Sequence, residues 1–460
     1  MAGIGSASVS LLVRGGTVVT AAGESRGDVL VGDDGRIVAV ARDLPAGGGA
    51  GARADRTIDA EGTIDAEGTI DADGTIDAGG MLVLPGMVDA HVHFDEPGRA
   101  EWEGFATGSA AAVSGGVTTV IDMPIDCDPP TVTAEAVRAK VAAIERSSRV
   151  DVALWGGLTP QSVKDLDGLF ASGVVGLKAF ACPSGWPEFP EVDEPVLAAG
   201  MAAAARAGVP VAVHCELAAG RPSERSEVAA VRWAAKLATR SGAHLHVVHV
   251  SAAAAVDEAR TVPGVSVETC AHYLLLDEAA AAVVGPRAHC SPPIRDEVNR
   301  LALWERVRSG AVDVVASDHS PCPPSRRGGP APWAGIDGVG LTLPLLLSTG
   351  LLSRSRLVAL TTAGARLAGL SRKGQLAPGF DADVVLVDPD AVWTVGPATQ
   401  WSRHRQSPFA GWTVKGRVET TLVRGRVAYT AANGPTDGAG GRALLRTTRT
   451  ARTTGTARTA

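Results

Sequence analysis

The stretch VDAHVH, residues 88–93, predicts a buried β-strand that ends in two histidines. Side chains of a strand alternate between its two faces, so His91 and His93 point the same way and can share one metal ion. The pair alone leaves two interpretations open, a metal site or two unrelated histidines at a strand end and in a loop. The rest of the chain decides between them.

Seven further segments have the length and β-branched content of this strand, and Ala-rich intervals separate them. The eight candidate strands are MVDAHVH, TTVIDMP, DVALWGG, GLKAFA, VPVAVHCE, HLHVVHVS, VSVETCAH and VDVVASDH. The intervals include AEAVRAKVAAIERSS and VAAVRWAAKLATRSG, whose apolar residues recur at helical spacing. Eight strand–helix units predict an α/β fold, a (β/α)8 TIM-like barrel over residues 85–374. A doubly wound sheet is the alternative, but it usually has fewer strands.

The two ends of the chain have a different pattern, in which short β-type runs alternate with Gly and Asp turns. Examples are SLLVRGGTVVT and GDVLVGDDGRIVAVA at one end, and DADVVLVDPD and WTVKGRVETTLVRGRVAYT at the other. Residues 1–84 and 375–440 are therefore predicted to form one small composite β-sandwich domain. Within it, residues 57–80 repeat the hexapeptides TIDAEG, TIDAEG, TIDADG and TIDAGG. These units are too short for a solenoid, and a repeat insertion in a surface loop is the favoured interpretation.

Composition and charge argue against several functional classes. The net charge of −7 argues against a general nucleic-acid binder. The Thr- and Arg-rich segment 441–460 lacks apolar periodicity and interleaved aromatic residues, and is predicted to be a disordered tail. No apolar run approaches the ~20 residues that span a bilayer, and MAGIGSASVSLLVRGG lacks the pattern of a signal peptide. The six scattered cysteines indicate reduced thiols. We therefore expect a cytoplasmic protein with neither membrane nor nucleic-acid partners.

Residues with metal-binding chemistry stand at the ends of the predicted strands. They are His91, His93, Lys178, His214, His249 and Asp318. In a barrel these ends converge on one face, where neutral imidazoles and a carboxylate suit Zn²⁺ or a similar divalent ion. A lysine ammonium is a poor ligand and is costly to bury beside cations. Its carbamate, formed with CO2, is instead an anionic two-oxygen group that can bridge two metals.

The longest recognisable motif is GMVDAHVHFDEPGRAEWEGFATGSAAAVSGGVTTVIDMP, residues 86–124. Together with GLKAF, AVHCE, VVHVS, ETCAHYL, SPPIRDEVNR and ASDHSP, it resembles the cyclic amidohydrolases, the family of dihydroorotases and hydantoinases. Within that family the chain is most similar to the allantoinases, from about Leu11 to Tyr429. The resemblance implies one metal on His91, His93 and Asp318, and a second on His214 and His249. It also implies that carbamylated Lys178 and a hydroxide bridge the two metals.

The same resemblance implies hydrolysis of the cyclic amide of allantoin to allantoate, a step of purine catabolism. The bridging hydroxide attacks the ring carbonyl, and Asp318 acts as general base and then as general acid. A homotetramer or a dimer is expected. The alternative is a hydantoinase or dihydropyrimidinase acting on other cyclic ureides. A non-catalytic scaffold relative is a weaker alternative, because all six ligand positions are intact.

Neighbouring subfamilies differ from the chain at single positions. Dihydroorotase-like sequences have an Arg two residues after the second histidine, whereas Asp95 stands here and would repel a substrate carboxylate. They also have an Asn after Met-Pro, where this chain has Ile125. Hydantoinases usually have a Tyr after the lysine, and the corresponding stretch ACPSGWPEF contains none. Ser184 is either a substitute oxyanion donor or an ordinary turn serine.

Substrate contacts are expected around the predicted metal site. The candidates are Asp126, Ser184, His272, Ser291, Ala334 and Gly335. His272 could equally be a buried structural histidine. Two of the candidates depart from the allantoinase pattern, since Asp126 replaces an Asn and Ala334 replaces a Gly. Ring specificity is therefore expected to depend on these two positions.

Overall fold

The computed structural model describes residues 9–44, 74–217, 223–328, 332–438 and 440–447. Five strands precede the barrel. They are β1 (Val9–Thr20), β2 (Gly23–Gly32), β3 (Ile37–Ala41), β4 (Thr75–Asp77) and β5 (Leu82–Pro85). β1 and β2 form the predicted antiparallel hairpin, and β3 continues it. β4 belongs to the last TIDAGG copy of the hexapeptide, whereas residues 57–73 of the repeat lie outside the described residues.

Eight parallel strands form the barrel, and each corresponds to one predicted segment. They are β6 (Met87–Val92), β7 (Val117–Asp122), β8 (Asp151–Gly157), β9 (Gly176–Phe180), β10 (Val211–His214), β11 (Leu245–Val247), β12 (Val265–Cys270) and β13 (Val314–Ala316). The ring of strands nearly closes between β6 and β13, where the amide of His93 donates to the carbonyl of His319 at 2.7 Å.

The prediction of a (β/α)8 barrel is confirmed, but several strands end earlier than predicted. β11 ends at Val247 and β13 at Ala316, so His249 and Asp318 lie just beyond them. β12 ends at Cys270, so His272 lies on the helix that follows.

Helices flank the strands of the barrel. They are α1 (Gly104–Ser114), α2 (Ala134–Ser147), α3 (Leu166–Ala171), α4 (Glu194–Ala207), α5 (Glu224–Ser241), α6 (Ala253–Arg260), α7 (Ala271–Leu275), α8 (Glu278–Val284), α9 (Glu297–Ser309), α10 (Thr342–Thr349), α11 (Arg354–Thr361) and α12 (Ala363–Leu367). The two predicted helices are α2 and α5. In the described ranges, none of these helices has the length and apolarity needed to cross a bilayer.

Alternation along the strands separates two apolar layers. Ala153 and Trp155 of β8 face the barrel interior, whereas Val152 and Leu154 pack outward against the helices. Both layers are buried because helices cover a parallel sheet on its outer face. By the same alternation, His214 at the end of β10 points toward the interior, where it lines a cavity.

Strands from both chain ends form a second sheet. The C-terminal strands are β14 (Val384–Thr394), β15 (Thr413–Val423), β16 (Arg426–Thr430) and β17 (Gly434–Pro435). β14 pairs antiparallel with β5, and β5 pairs parallel with β1, so the two ends join in one nine-stranded sheet. Val29, Val83, Val384 and Leu422 share one apolar cluster in this sheet. The second sheet is thus built from both ends, and the division of the chain into domains at residues 84 and 375 stays a prediction.

The described part of the C-terminal tail differs from the expectation of disorder from residue 441. The amide of Val152 donates to the carbonyl of Arg442, and the amide of Leu444 donates back to the carbonyl of Val152 at 2.7 Å. Arg442 also donates its amide to Asp151, and Leu444 packs against an apolar cluster. Residues 441–447 are therefore ordered along β8 by backbone pairing, which composition does not predict. Residues 448–460 lie outside the described residues.

A buried ion cluster joins the barrel to the second sheet. Lys373 Nζ lies 2.6 Å from Asp151, 2.8 Å from Asp383 and 3.0 Å from Asp381. Burial lowers the pKa of Lys373, but the carboxylates of Asp383, Asp151 and Asp381 outweigh it and raise the pKa above its usual value. Burial raises the pKa of Asp151, but Lys373 and Arg424 outweigh it and depress the pKa below its usual value. The cluster therefore favours the charged lysine and the charged Asp151.

Lys373→Met is expected to lower the free energy of unfolding by about 3–5 kcal/mol, because it leaves buried carboxylates without their cation. The contribution of Asp151 is present above an unfolded pKa of about 3.9 and is lost as the pH falls through its lower folded pKa. The contribution of Lys373 is present below about 10.4 and is lost as the pH rises through its higher folded pKa. The destabilisation should therefore be largest between about pH 4 and pH 10.

Chemical unfolding at several pH values measures this difference. The matched control is Lys236→Met on α5, because Lys236 is exposed and forms no ion pair among the described residues. Equal unfolding midpoints for the two variants at pH 7 would contradict the assignment.

Candidate metal centre and active site

The six predicted ligands line a single cavity of about 470 Å³ at the carboxyl ends of the barrel strands. His91 belongs to β6 and His93 follows it, Lys178 lies on β9, and His214 ends β10. His249 and Asp318 each stand two residues after a strand, β11 and β13. All six are buried. The barrel thus brings together residues that are far apart in the sequence, as the strand-end pattern predicts.

One group in the cavity contains His91, His93 and Asp318. Asp318 Oδ1 lies 3.4 Å from His91 Nε2 and 3.6 Å from His93 Nε2. One donor atom from each residue lies within 4.8 Å of the other two, a spacing that a single cation can fill. This arrangement of two imidazoles and a carboxylate matches the preferences of a zinc-like ion.

A second group contains Lys178, His214 and His249. His214 Nδ1 lies 3.0 Å from His249 Nε2, so two ring nitrogens meet at one point. Lys178 Nζ is fully buried and has no hydrogen-bond partner among the described residues. Burial lowers the pKa of Lys178 to about 8, although Asp318 and Glu268 oppose the shift. The neutral amine, the form that reacts with CO2, is therefore accessible near neutral pH.

These residues fit a pair of divalent cations. Buried polar atoms are normally hydrogen-bonded, yet His91 Nε2 and Lys178 Nζ lack partners within the ranges the structure describes. Burial lowers the pKa of His91, His214 and His249, and the neutral imidazole is the form that binds a metal. The donor set therefore has atoms that a cation would satisfy.

His93 and Cys270 differ from these residues in protonation. Burial lowers the pKa of His93, but the carboxylates of Asp126 and Asp318 outweigh it and raise the pKa to about 9. Burial raises the pKa of Cys270 well above its usual value. Cys270, His272 and Asp318 form another group of donor atoms within 4.8 Å of one another, although the raised pKa of Cys270 disfavours the thiolate, which is the form that binds a metal. His93 remains the better candidate because its Nε2 faces Asp318 within the first group.

Glu268, which sequence reasoning missed, orients two of the histidines. Its Oε1 accepts from the Nδ1 atom of His91 at 2.8 Å and from the amide of His249 at 3.1 Å, and its Oε2 lies 3.2 Å from His246 Nε2. A carboxylate on Nδ1 fixes the tautomer of His91 and leaves its Nε2 for a metal. The available signal was an acidic residue in the middle of the otherwise uncharged segment VSVETC.

Three residues of this site have a strained backbone conformation. Asp126, His249 and Asp318 have φ values of +70°, +38° and +48°, in the left-handed region that non-glycine residues rarely adopt. Such conformations cost of order 1–3 kcal/mol each and are found where surrounding structure holds a side chain in place for function.

The predicted substrate contacts, apart from His272, also line the cavity. The hydroxyl of Ser184 donates to the carbonyl of Phe189 at 2.6 Å, which favours the turn role over an oxyanion donor. The hydroxyl of Ser291 donates to Glu216, another acidic residue that sequence reasoning missed. The backbone amide of Gly335 donates to His289, and a Cβ there would lie 1.9 Å from the carbonyl oxygen of Ser320. Gly335 therefore has to be glycine for packing reasons. The substrate-binding roles of these residues stay predictions.

Three tryptophans at the mouth of the cavity were also missed. The ring centroid of Trp186 lies 5.0 Å from that of Trp333 and 5.8 Å from that of Trp102. Trp333 lines the cavity. The three residues come from the loops after β9, β13 and β6, so no local periodicity marks them as neighbours.

Comparisons with known proteins agree with this geometry. The model of the amidohydrolase family matches residues 82–428. The chain is 42% identical to the allantoinase of Solibacter usitatus, over 91% of this chain and 93% of that protein. It is 39% identical to the allantoinase of Rubrobacter xylanophilus, over 91% of this chain and 94% of that protein.

Solved structures with the same architecture include the L-hydantoinase (dihydropyrimidinase) from Arthrobacter aurescens. It matches with a TM-score of 0.84 and 29% identity, covering 95% of this chain and 100% of that chain. The dihydropyrimidinase from Brevibacillus agri matches with a TM-score of 0.81 and 27% identity, covering 95% and 99% of the two chains. The extent of these matches, and the identity to relatives of nearly equal length, show that the chain belongs to the amidohydrolase family, in its allantoinase branch.

Proposed function

We propose that this chain catalyses the metal-dependent hydrolysis of the cyclic amide bond of allantoin, which gives allantoate. The observation that carries the proposal is the convergence of six buried donor side chains on one cavity, in a chain 42% identical to an allantoinase. The cavity volume of about 470 Å³ suits a small cyclic ureide.

The proposed cofactors are two divalent ions, with zinc as the proposed metal. His91, His93 and Asp318 would hold one ion, and His214 and His249 the other. Lys178, carbamylated by CO2, would join both groups through its two carbamate oxygens. When bound, such ions lower the pKa of a water molecule and polarise an amide carbonyl.

Asp318 is the proposed proton carrier. Burial raises its pKa, but His91 and His93 outweigh that effect and depress the pKa below its usual value. The carboxylate is therefore ionised at neutral pH and can accept a proton from the attacking water. It then delivers that proton to the ring nitrogen as the carbon–nitrogen bond breaks, so that one water is consumed for each ring opened.

The wall of the cavity would orient the ring and limit water. Apolar side chains of Ile125, Phe180 and Trp333 line it beside the donor groups. Phe180 stacks on His214 with their ring centroids 4.9 Å apart, which fixes one face of that imidazole. Apolar walls with few polar groups are typical of sites for small molecules.

Hydantoinase or dihydropyrimidinase activity is the second candidate, favoured by the structural similarity to the Arthrobacter aurescens enzyme. Initial rates with allantoin, hydantoin, dihydrouracil and dihydroorotate, measured on zinc-loaded protein with added bicarbonate, separate the candidates. We expect the highest kcat/KM for allantoin. A higher value for hydantoin or dihydrouracil would move the chain to the second candidate and retain the metal chemistry.

The homotetramer or dimer and the cytoplasmic location expected from the sequence stay predictions. Gel filtration with light scattering measures the first of these, and fractionation of the source cells the second.

A further inference from the structure

The carboxylate of Asp126 connects a proposed metal ligand to the tryptophans at the mouth. Its Oδ2 lies 2.6 Å from His93 Nδ1, and its Oδ1 accepts from the indole Nε1 of Trp186 at 2.5 Å. The Asp126 side chain is only 8% exposed. Although it lines the cavity, one of its oxygens therefore accepts from Trp186 and the other lies in ion-pair contact with His93.

Both oxygen atoms are needed for this arrangement. A histidine that offers Nε2 to a metal carries its proton on Nδ1, so His93 and Trp186 are both donors toward Asp126. A carboxylate has two acceptor oxygens, whereas an asparagine amide has one acceptor and a donating NH2 group. With an asparagine here, one of the two donors would face another donor. Two N–H groups, from His93 and Trp186, therefore favour aspartate over asparagine at position 126.

Trp186 is itself held in place by neighbouring side chains. The guanidinium carbon of Arg99 lies 3.8 Å from the centre of the Trp186 ring, and Trp102 and Trp333 pack on the same side chain. Arg99 also donates to the carbonyl of Asp126 at 3.2 Å and to Glu188 at 2.7 Å. The indole therefore presents its N–H to Asp126 from a fixed position.

We propose that Asp126 is a positioning residue, not a substrate contact, and that Trp186 and Asp126 together fix the ring of His93 for metal binding. The inference rests on the proposed metal site. It identifies the stretch EPGRAEWEGF, residues 96–105, as a support for the metal centre through Arg99 and Trp102. It also replaces the expectation that Asp126 contacts the ring.

Zinc affinity and steady-state kinetics of four variants test this proposal. The variants are Asp126→Asn, Trp186→Phe, the double variant and Trp412→Phe. Asparagine tolerates the left-handed backbone of residue 126, so the first substitution changes one acceptor without new strain. Trp412→Phe is the matched control, because Trp412 packs on Phe409 and belongs neither to the tryptophan cluster nor to the cavity lining.

Each of the first two substitutions is expected to lower zinc affinity by about 10- to 100-fold, measured by competition with a chromophoric chelator. The double variant should lose much less than the product of the single losses, because both single changes act on the same chain of contacts from Trp186 through Asp126 to His93. Trp412→Phe should keep the affinity of the wild type. At saturating zinc, KM for allantoin should stay close to the wild-type value.

Two results would overturn the proposal and remain distinct from a failure of the proposed function. If wild-type protein binds zinc and opens allantoin, unchanged zinc affinity in Asp126→Asn contradicts the positioning role. A raised KM at unchanged zinc affinity would instead make Asp126 a substrate contact. If wild-type protein binds no zinc, the proposed function itself is wrong.

Discussion

Asp318→Asn is expected to lower kcat for allantoin by about 10²- to 10⁴-fold, the range that general acid–base catalysis contributes. The asparagine keeps the size of the side chain but cannot accept and return a proton. It also removes the charge that faces His91 Nε2 at 3.4 Å and His93 Nε2 at 3.6 Å. Steady-state kinetics at saturating zinc measures the effect, and unfolding experiments should show a much smaller change in stability.

The matched control for this prediction is Asp390→Asn. Asp390 is exposed and pairs with Lys415. It does not line the cavity. It should turn over allantoin at the wild-type rate. A wild-type kcat in Asp318→Asn would refute the assignment of Asp318 as proton carrier.

Lys178→Met is expected to remove both metal loading and turnover. Methionine is an unbranched side chain that can occupy the apolar part of the buried lysine site, but it cannot form a carbamate. Without that anionic group, the cation-binding groups of the cavity lose the ligand proposed to join them. Elemental analysis should find less than the wild-type metal content, and allantoin turnover should fall to the background rate.

Mass spectrometry gives this prediction a readout that does not depend on activity. Native protein in bicarbonate should carry the added mass of one CO2, and Lys178→Met should not. Lys236→Met, an exposed lysine change, should retain the added mass, the metal and the activity. A Lys178→Met protein that is free of metal but fully active would contradict the account.

The barrel could be predicted because each strand is short, β-branched and buried on both faces. Runs such as VSVETC and DVALWGG carry this signal without help from distant residues. The end of β12 was placed too late because α7 has only five residues, Ala271–Leu275, which is too few for helical periodicity to appear. Order in residues 441–447 was missed because it comes from pairing with Val152, a contact between distant parts of the chain.

The six proposed ligands could be found because they stand at or near the ends of strands, and the carboxyl ends of all barrel strands meet on one face. The supporting residues obey no such rule. Trp186 reaches Asp126 across 60 positions of the sequence, and Glu268 reaches His91 across 177. Their roles follow from loop conformation and side-chain direction, which periodicity does not contain.

The most direct test of the central claim is allantoin turnover by the same protein sample before chelation, after removal of metal, and after reloading with zinc and bicarbonate. The account predicts loss of allantoate formation on chelation, its recovery on reloading, and two metal ions per active chain. Allantoate formation that continues at an unchanged rate in metal-free protein would contradict it.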